Sequence, residues 1–333
     1  MRRRTFLGVV CGAIAWPLAA AAQESTRKKR FAIFSPSERS ADWHAHSESK
    51  YARALFGELR RLGYVEGQNL TVENYGREQN TSGPEALATE IVRSNPDVVL
   101  VNGPGALVFK RLTSRIPIVT ITADPVRQGI AESLAHPGGN FTGASIDAGP
   151  SIHGKRIALL REMFPAISKL GFLALRIQDS FVTGAPIPAA AEAAGLPISV
   201  SLLEIGSKEK DWRAAIESLS RDAANAVIVV DSPETFQNGA LIARLLADAN
   251  LPAMFSFAES VEAGGLIAYS FDLTELYKRA ANDIDAILRG AKPGDIPFYQ
   301  ATKFDLSINL KTAKKLGLSV PPALLASADE VIE

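Results

Sequence analysis

The residues with the most chemistry to offer fall at the ends of short apolar runs. Ser35 follows Phe31 to Phe34, Asn102-Gly103-Pro104-Gly105-Ala106 follows Asp97 to Val101, and Thr122, Ala123 and Asp124 close the run from Ile116. Further on, Asp231-Ser232-Pro233-Glu234 follows Ala226 to Val230, Phe255 and Ser256 lie in the run from Pro252 to Phe257, and Tyr269, Ser270 and Asp272 end the run from Leu266. In open parallel sheets, ligands sit beyond the carboxyl ends of strands, where loops enter helices. That rule gathers these positions although they are far apart in the chain. Small residues at 103 to 106 let backbone N–H groups approach an anion such as a carboxylate. An ammonium group would pair with Asp124, Asp231, Glu234 or Asp272, and Phe255, Tyr269 or Trp43 would stack on an apolar side chain. The mixture suits a small zwitterion. Taken singly, each residue also fits ordinary turn and capping chemistry; the expected convergence is what makes a ligand site of them.

Signatures of catalysis are scarce. Gly103-Pro104-Gly105 lacks the third glycine of a dinucleotide fingerprint, and the chain has no P-loop, HExxH or GxSxG motif. Asp42, His44, His46 and Glu48 alternate in a polar stretch, a spacing that raises the question of a metal, yet exposed loop histidines are the commoner case and no metal is expected. His136 and His153 are isolated in sequence. No cofactor is implied.

The elements that must position these residues alternate along the chain. Apolar runs rich in Val, Ile and Phe alternate with longer amphipathic stretches, the pattern of βαβ units and a parallel sheet. Strands are predicted at Phe31 to Phe34, Leu70 to Asn74, Asp97 to Val101, Ile116 to Thr122 and Phe141 to Ser145. Helices are predicted at Glu48 to Leu62, Pro84 to Arg93, Gly105 to Thr113 and, briefly, Gln128 to Ala135. The cadence then restarts, with strands at Leu170 to Leu175, Ile198 to Leu203, Ala226 to Val230, Pro252 to Phe257 and Leu266 to Ser270. The helices of this second series are predicted at Ile152 to Met163, Ile187 to Ala194, Trp212 to Ser220 and Ala240 to Ala249. DVVLVNGPG and IPIVTITADP in the first half are echoed by NAVIVVDSP and LPAMFSFAES in the second, which fits two matching α/β lobes. A helix at Leu273 to Arg289, the break at Lys292-Pro293-Gly294 and a last helix at Leu310 to Leu316 imply that the chain recrosses between lobes.

Arg2, Arg3 and Arg4 precede an apolar run from Phe6 to Ala22 that ends in small residues, the pattern of an export signal cut before Gln23. Arg3-Arg4-Thr5-Phe6-Leu7 also fits a twin-arginine signal. The only cysteine, Cys11, would leave with the signal, so no disulfide or cysteine-ligated metal is expected. The roughly 310 residues that remain are enough for a large core in one or two domains. The full chain balances 36 basic against 36 acidic residues, and without the three arginines of the signal it is slightly acidic. That is no nucleic-acid footprint. The one basic cluster, Arg27-Lys28-Lys29-Arg30, reads as a solvated tail ahead of the first strand.

The runs GELRRLGYVEGQNLTVE, DVVLVNGPGAL, IPIVTITADPVRQGIAESLAHPGGNFTG and FDLSINLKTAKKLGLSVPPALLASADEVIE are distinctive. Together they resemble exported ABC-transporter substrate-binding proteins of the tryptophan/tyrosine-binding type. The resemblance implies two Rossmann-like lobes of the class I periplasmic binding protein kind, joined by a hinge of crossing strands and closing on a small-molecule ligand. It implies lobes at about 29–145 with 271–298, and 146–270 with 299–333. The expected partner is a membrane permease whose ATPase supplies the energy, the expected ligand an amino acid, by default an aromatic one, and the expected state a monomer in the periplasm. Asn102 to Ala106 matches the family's small-residue loop, Thr122-Ala123-Asp124-Pro125 its DP loop and Tyr269-Ser270-Phe271 its return strand. The chain departs from the pattern at Asn102, at Pro104, at Phe271 and at Arg176-Ile177-Gln178-Asp179. Two rival readings use the same cleft: a secreted two-lobed enzyme, which would turn its ligand over, and a ligand-sensing partner of a membrane signalling protein.

Overall fold

The computed structural model describes residues 27–146, 150–178 and 187–333; the expected export signal at 1–22 and Asp179 lie outside the described residues. The strands, in chain order, are β1 (Lys29–Ser35), β2 (Leu70–Gly76), β3 (Val98–Asn102), β4 (Ile118–Thr122), β5 (Phe141–Ser145), β6 (Leu170–Leu175) and β7 (Ile198–Leu203). They continue with β8 (Ala226–Val229), β9 (Ala253–Phe255), β10 (Ile267–Phe271), β11 (Tyr299–Gln300), β12 (Phe304–Asn309) and β13 (Glu330–Ile332). One sheet has the order β11-β5-β4-β3-β1-β2 and the other β13-β12-β10-β9-β8-β6-β7. Every pairing is parallel except β10 with β12. Helices cover both faces of each sheet, so the central strands are apolar throughout: the first four residues of β3 and all six of β6 are buried. The fold is α/β, two Rossmann-like lobes joined by several chain crossings.

The two lobes share one winding. Reading β2-β1-β3-β4-β5 in one and β7-β6-β8-β9-β10 in the other, the chain reverses its direction of growth between β1 and β3 and again between β6 and β8. A crevice opens at such switch points. The echoed segments noted in the sequence are β3 and β4 in one lobe and β8 and β9 in the other, equivalent strands of the two sheets.

The chain passes between lobes three times: after β5, after β10, and between β11 and β12. The helix Leu273–Leu288 follows β10 of the second sheet, yet it packs against β3, β4 and β5 of the first and against the helix Lys50–Arg61. Both helices have an apolar stripe and a capped start. The Ser49 hydroxyl accepts the Ala52 N–H ahead of a buried face of Tyr51, Leu55, Phe56 and Leu59. Asp272 accepts the Glu275 N–H at 3.1 Å ahead of Leu276, Tyr277, Ala280 and Ile284. Tyr51 and Tyr277 thereby stand in the first turns of their helices, at the cleft end.

The PGGN-TG motif also has a structural reason. Gly143, in the middle of β5, has φ +137°, and a Cβ there would lie 2.0 Å from the Thr120 carbonyl oxygen, so no other residue fits. One sequence expectation changes. Gln128 to Ala135 is a series of turns rather than a helix, because Gly129 adopts φ +64° and Ile130 and Ala131 both donate to the Pro125 carbonyl. The stretch from Phe298 to Ile308 divides into β11, paired with β5, and β12, paired with β10. Short helices at Pro233–Gln237, Ala258–Glu262 and Pro322–Ala326 have too few residues to show a period.

Candidate functional site

Between the two switch points lies a cavity of about 520 Å³. From the first lobe it is lined by the segment that follows β1, including Glu38, Asp42, Trp43, His44 and His46, and by Tyr51, Asn102, Gly103 and Tyr277. The second lobe contributes Asp231 to Pro233, Phe236, Gln237 and Phe257, and the crossover after β10 adds Phe271 and Leu273.

Six aromatic rings form a continuous arc around it. Trp43 meets Tyr277 with centroids 5.3 Å apart, Tyr277 meets Tyr51 at 5.8 Å, and Tyr51 meets Phe236 edge-on at 5.5 Å. Phe236 then meets Phe257 at 5.1 Å and Phe257 meets Phe271 at 5.8 Å. The step from Tyr51 to Phe236 is a step from one lobe to the other. Tilted and edge-on pairs of this kind add about 0.5–1.5 kcal/mol each beyond the area they bury, and their faces and edges supply a surface for a flat ligand.

Polar groups stand among the rings. Glu38 accepts from Trp43 Nε1 through Oε2 and from Gln237 Nε2 at 3.1 Å through Oε1. Burial pushes its carboxyl up to about 7, against those two hydrogen bonds, and the nearby Asp42 and Glu234 carboxylates add to the rise. Asn102 donates from Nδ2 to the Tyr277 hydroxyl at 2.7 Å, and its buried Oδ1 has no partner. Burial also holds the Tyr277 phenol far above the ordinary tyrosine range. Asp231 stands 3.8 Å from the buried Arg156 guanidinium, which in turn donates to the Tyr269 carbonyl at 3.1 Å.

Among the described residues, polar contacts of Ser37, Glu38, Lys50 and Tyr51 tie the lobes across the cleft. Ser37 Oγ donates to Glu234, Gln237 donates to Glu38, the Tyr51 hydroxyl donates to Glu259, and Lys50 pairs with Glu259 at 2.8 Å. Burial raises the Glu234 carboxyl as well, with the Ser37 hydrogen bond opposing. At the centre of the cleft Gly103 adopts φ +59°, and a Cβ there would lie 3.0 Å from Pro233 Cδ. This approach of the β3 and β8 loops separates the main cavity from a second chamber of about 140 Å³ lined by Thr122, Arg127, Gln128 and Gln178. Gly103 and Asp231 border both.

The residues singled out from sequence fall into three groups. Asn102, Gly103, Asp231 and Ser232 line the main cavity, and Thr122 lines the second chamber, its hydroxyl donating to Gln128 Oε1 at 2.8 Å. Ser35, Gly105 and Glu234 line a crevice of about 20 Å³ behind Pro233. The others stand outside the cavity. Ala106 and Phe255 are buried in the cores of their lobes, and Ser256 donates to the Val229 carbonyl at 3.0 Å. Tyr269 stacks on Phe304 at 5.4 Å, Asp124 accepts the Val126 and Arg127 N–H groups of its own turn, and Asp272 caps its helix. Asp42, His44, His46 and Glu48 spread along the cavity wall, and the described residues hold no group of three or more acidic, histidine or cysteine side chains placed for a metal ion.

Sequence reasoning named Trp43 but missed Glu38, Tyr51, Phe236, Gln237, Phe257 and Tyr277 as lining residues. Phe236 and Gln237 had a signal, since they lie within one turn of the loop after β8. Tyr51 and Tyr277 had none, because an aromatic on a helix's apolar face reads as core.

Two parallel-sheet lobes with facing switch points and a cavity between them make the fold of the periplasmic binding protein class. A model of the family described as ABC transporter substrate binding protein matches residues 46–332, and the chain belongs to that family. A Clostridioides difficile (strain R20291) protein described as a tyrosine-binding protein is 25% identical over 280 residues, 82% of this chain and 78% of that one. An ABC domain from Streptococcus pneumonia, solved in complex with L-Trp, superposes with a TM-score of 0.77 at 22% identity, covering 92% of this chain and 100% of that one. A ligand-free, open substrate-binding protein with adhesive properties from Clostridium difficile superposes with a TM-score of 0.59 at 18% identity, covering 91% and 99%.

Proposed function

We propose that the protein is the exported receptor of an ABC importer, capturing a small aromatic solute that carries an amino group and presenting it to a membrane permease. The arc of six rings that runs from one lobe to the other carries this reading. A ligand drives closure only by its contacts with both lobes in the closed form, and a flat solute lying against this arc touches both. The relatives described as tyrosine-binding and solved with L-Trp support the same solute class. Asn102, Gly103, Asp231 and Ser232 border the ligand, with Trp43, Glu38 and Tyr277 beside them. The lobes are taken as 29–145 with 271–298, and 146–270 with 299–333. The signal at 1–22 directs export, the mature chain acts as a monomer in the periplasm, and the energy for transport comes from the importer's ATPase rather than from chemistry here.

The test is a thermal melt of protein stripped of carried ligand by unfolding and refolding, against aromatic amino acids and amines, aliphatic amino acids and sugars. A ligand at a thousand times its Kd adds about 4 kcal/mol, a shift of roughly 8–16 °C for a chain of this size. A shift confined to amino-bearing aromatics, with the ligand recovered intact, supports the reading. A shift with sugars or aliphatic amino acids alone, or conversion of the ligand, overturns it.

A further inference from the structure

We propose that closing the lobes takes up a proton, which the carboxyl groups of Glu38 and Glu234 hold in the crevice behind Pro233. Such uptake belongs to closure itself, whichever solute is captured.

The crevice is made by the meeting of the lobes. Ser35, Glu38 and Asn102 wall it from the first, and Ile205, Pro233 and Glu234 from the second. Glu38 lies on the segment after β1 and Glu234 in the five-residue helix after β8. A hinge that opens the cleft parts them; with the lobes in contact they share a space of about 20 Å³.

Charge and hydrogen bonding both call for a proton there. Among the described residues no lysine, arginine or histidine lines the crevice, and the carboxylates acting on Glu38 are Asp42 and Glu234. Two acids brought together out of water ionise less readily, and a neutral carboxyl relieves both burial and repulsion. Ser35 is 4% exposed, and its Oγ, like Asn102 Oδ1, is buried without a partner. Asn102 Oδ1 can only accept, and the Nδ2 of the same amide is given to the Tyr277 hydroxyl. An ionised carboxylate adds one more acceptor to this crevice, whereas a neutral carboxyl brings an O–H donor.

Other groups oppose the proton. Glu234 accepts from the Ser37 hydroxyl and from its own N–H, and Glu38 accepts from Trp43 Nε1 and Gln237 Nε2. The helix Gly105–Leu112 also starts at the crevice wall. Burial outweighs these hydrogen bonds in both carboxyls, and that of Glu38 is pushed up to about 7. Around Glu38 stand Tyr277 from the helix Leu273–Leu288, Asp231 from the opposite loop, and His44, His46 and Lys50 along the cavity wall. With the lobes apart the two acids return to water and to the ordinary carboxylate range, so the closed form binds the extra proton. Lower pH therefore favours closure, and the closed-to-open ratio should rise roughly tenfold from pH 8 to pH 6.

Small-angle scattering of the stripped, ligand-free full chain at constant ionic strength tests this without any solute. The average shape should be more compact at pH 6 than at pH 8. Glu38→Gln and Glu234→Gln, each checked for folding by its melt, should weaken the response singly and abolish it together, while His44→Gln/His46→Gln should keep it. An unchanged shape between pH 8 and pH 6 overturns the proposal. So does a response that survives the loss of both acids, or one that disappears with the histidines. Compaction that follows sodium concentration at fixed pH, and not pH, assigns the crevice to a metal ion and overturns the proton. The aromatic-solute reading stands or falls separately, by its own melts.

Discussion

After β3 the chain turns at Gly103 and enters a helix, Gly105–Leu112, whose first turn is buried in the lobe. After β8 it turns at Ser232 and Pro233 and enters a five-residue helix that sends Phe236 and Gln237 to the cavity. The two loops begin from the same pattern, an apolar strand running into a Gly/Pro turn, and occupy equivalent switch points. In the second lobe the loop itself meets the cavity. In the first, Gly103 serves as the flat surface against which Pro233 closes, and the contacts are supplied instead by the long segment between β1 and the helix Lys50–Arg61. Equivalent topology fixes where a cleft opens; which loop fills it with chemistry depends on which loop is long enough to reach in.

Removing the first lobe's contribution should have the largest effect. Trp43→Ala deletes a buried ring and one partner of Glu38, so a stability loss of about 3–5 kcal/mol is expected in denaturant melts, with at least a hundredfold loss of ligand affinity by titration. Phe236→Ala, the matching deletion in the second lobe, should cost less stability because that ring is only half-buried, while still weakening binding about tenfold. Equal stability losses would erase the asymmetry drawn here.

The loop contact is next. Gly103→Ala introduces a Cβ 3.0 Å from Pro233 Cδ at a φ of +59°, for a strain of about 1 kcal/mol. Small-angle scattering should show a more open average shape and ligand affinity should fall several-fold. Pro233→Ala in the same chain should recover part of the affinity, and failure to do so would separate closure from this contact.

A pH series compares the two lobes' buried acids. The Glu38 carboxyl is raised from 4.5 to about 7, so its contribution to stability is fully present below about pH 4.5 and is lost as pH rises through 7. The slope in that window is at most about 1.4 kcal/mol per pH unit. Melts of Glu38→Gln should lack this component, and the part that remains reports on Glu234 and on Asp283, whose carboxyls burial raises in the same direction. The smallest effect belongs to Asp124→Ala, which removes the acceptor for two turn N–H groups; about 1 kcal/mol of stability should go, with ligand affinity unchanged.

Much of the fold was legible because its signals are local. Apolar runs such as AVIV in β8, and capping residues such as Asp272, define elements within a few residues of themselves. The helix expected at Gln128 to Ala135 failed on a single backbone angle, at Gly129, which composition does not reveal. The site was legible only where the strand-end rule reaches, at Asn102, Gly103, Asp231 and Ser232. Phe255 and Ala106 obey the same rule by position, yet the one, on its strand, and the other, in the first turn of its helix, are buried in the core. Tyr277 lies 175 residues from its hydrogen-bond partner Asn102. Only the return of the chain to the first lobe brings the two together, and no local pattern encodes that return.

The three crossings between lobes bear on the mechanics of capture. A single connecting strand is a swivel, free to twist as well as bend. Three connections act as a leaf spring, which flexes about one axis and resists torsion. Each time such a spring relaxes, Ser37 meets Glu234 and Tyr51 meets Glu259 in the same register. On such a connection the partners would meet by a swing along one path, without a rotational search.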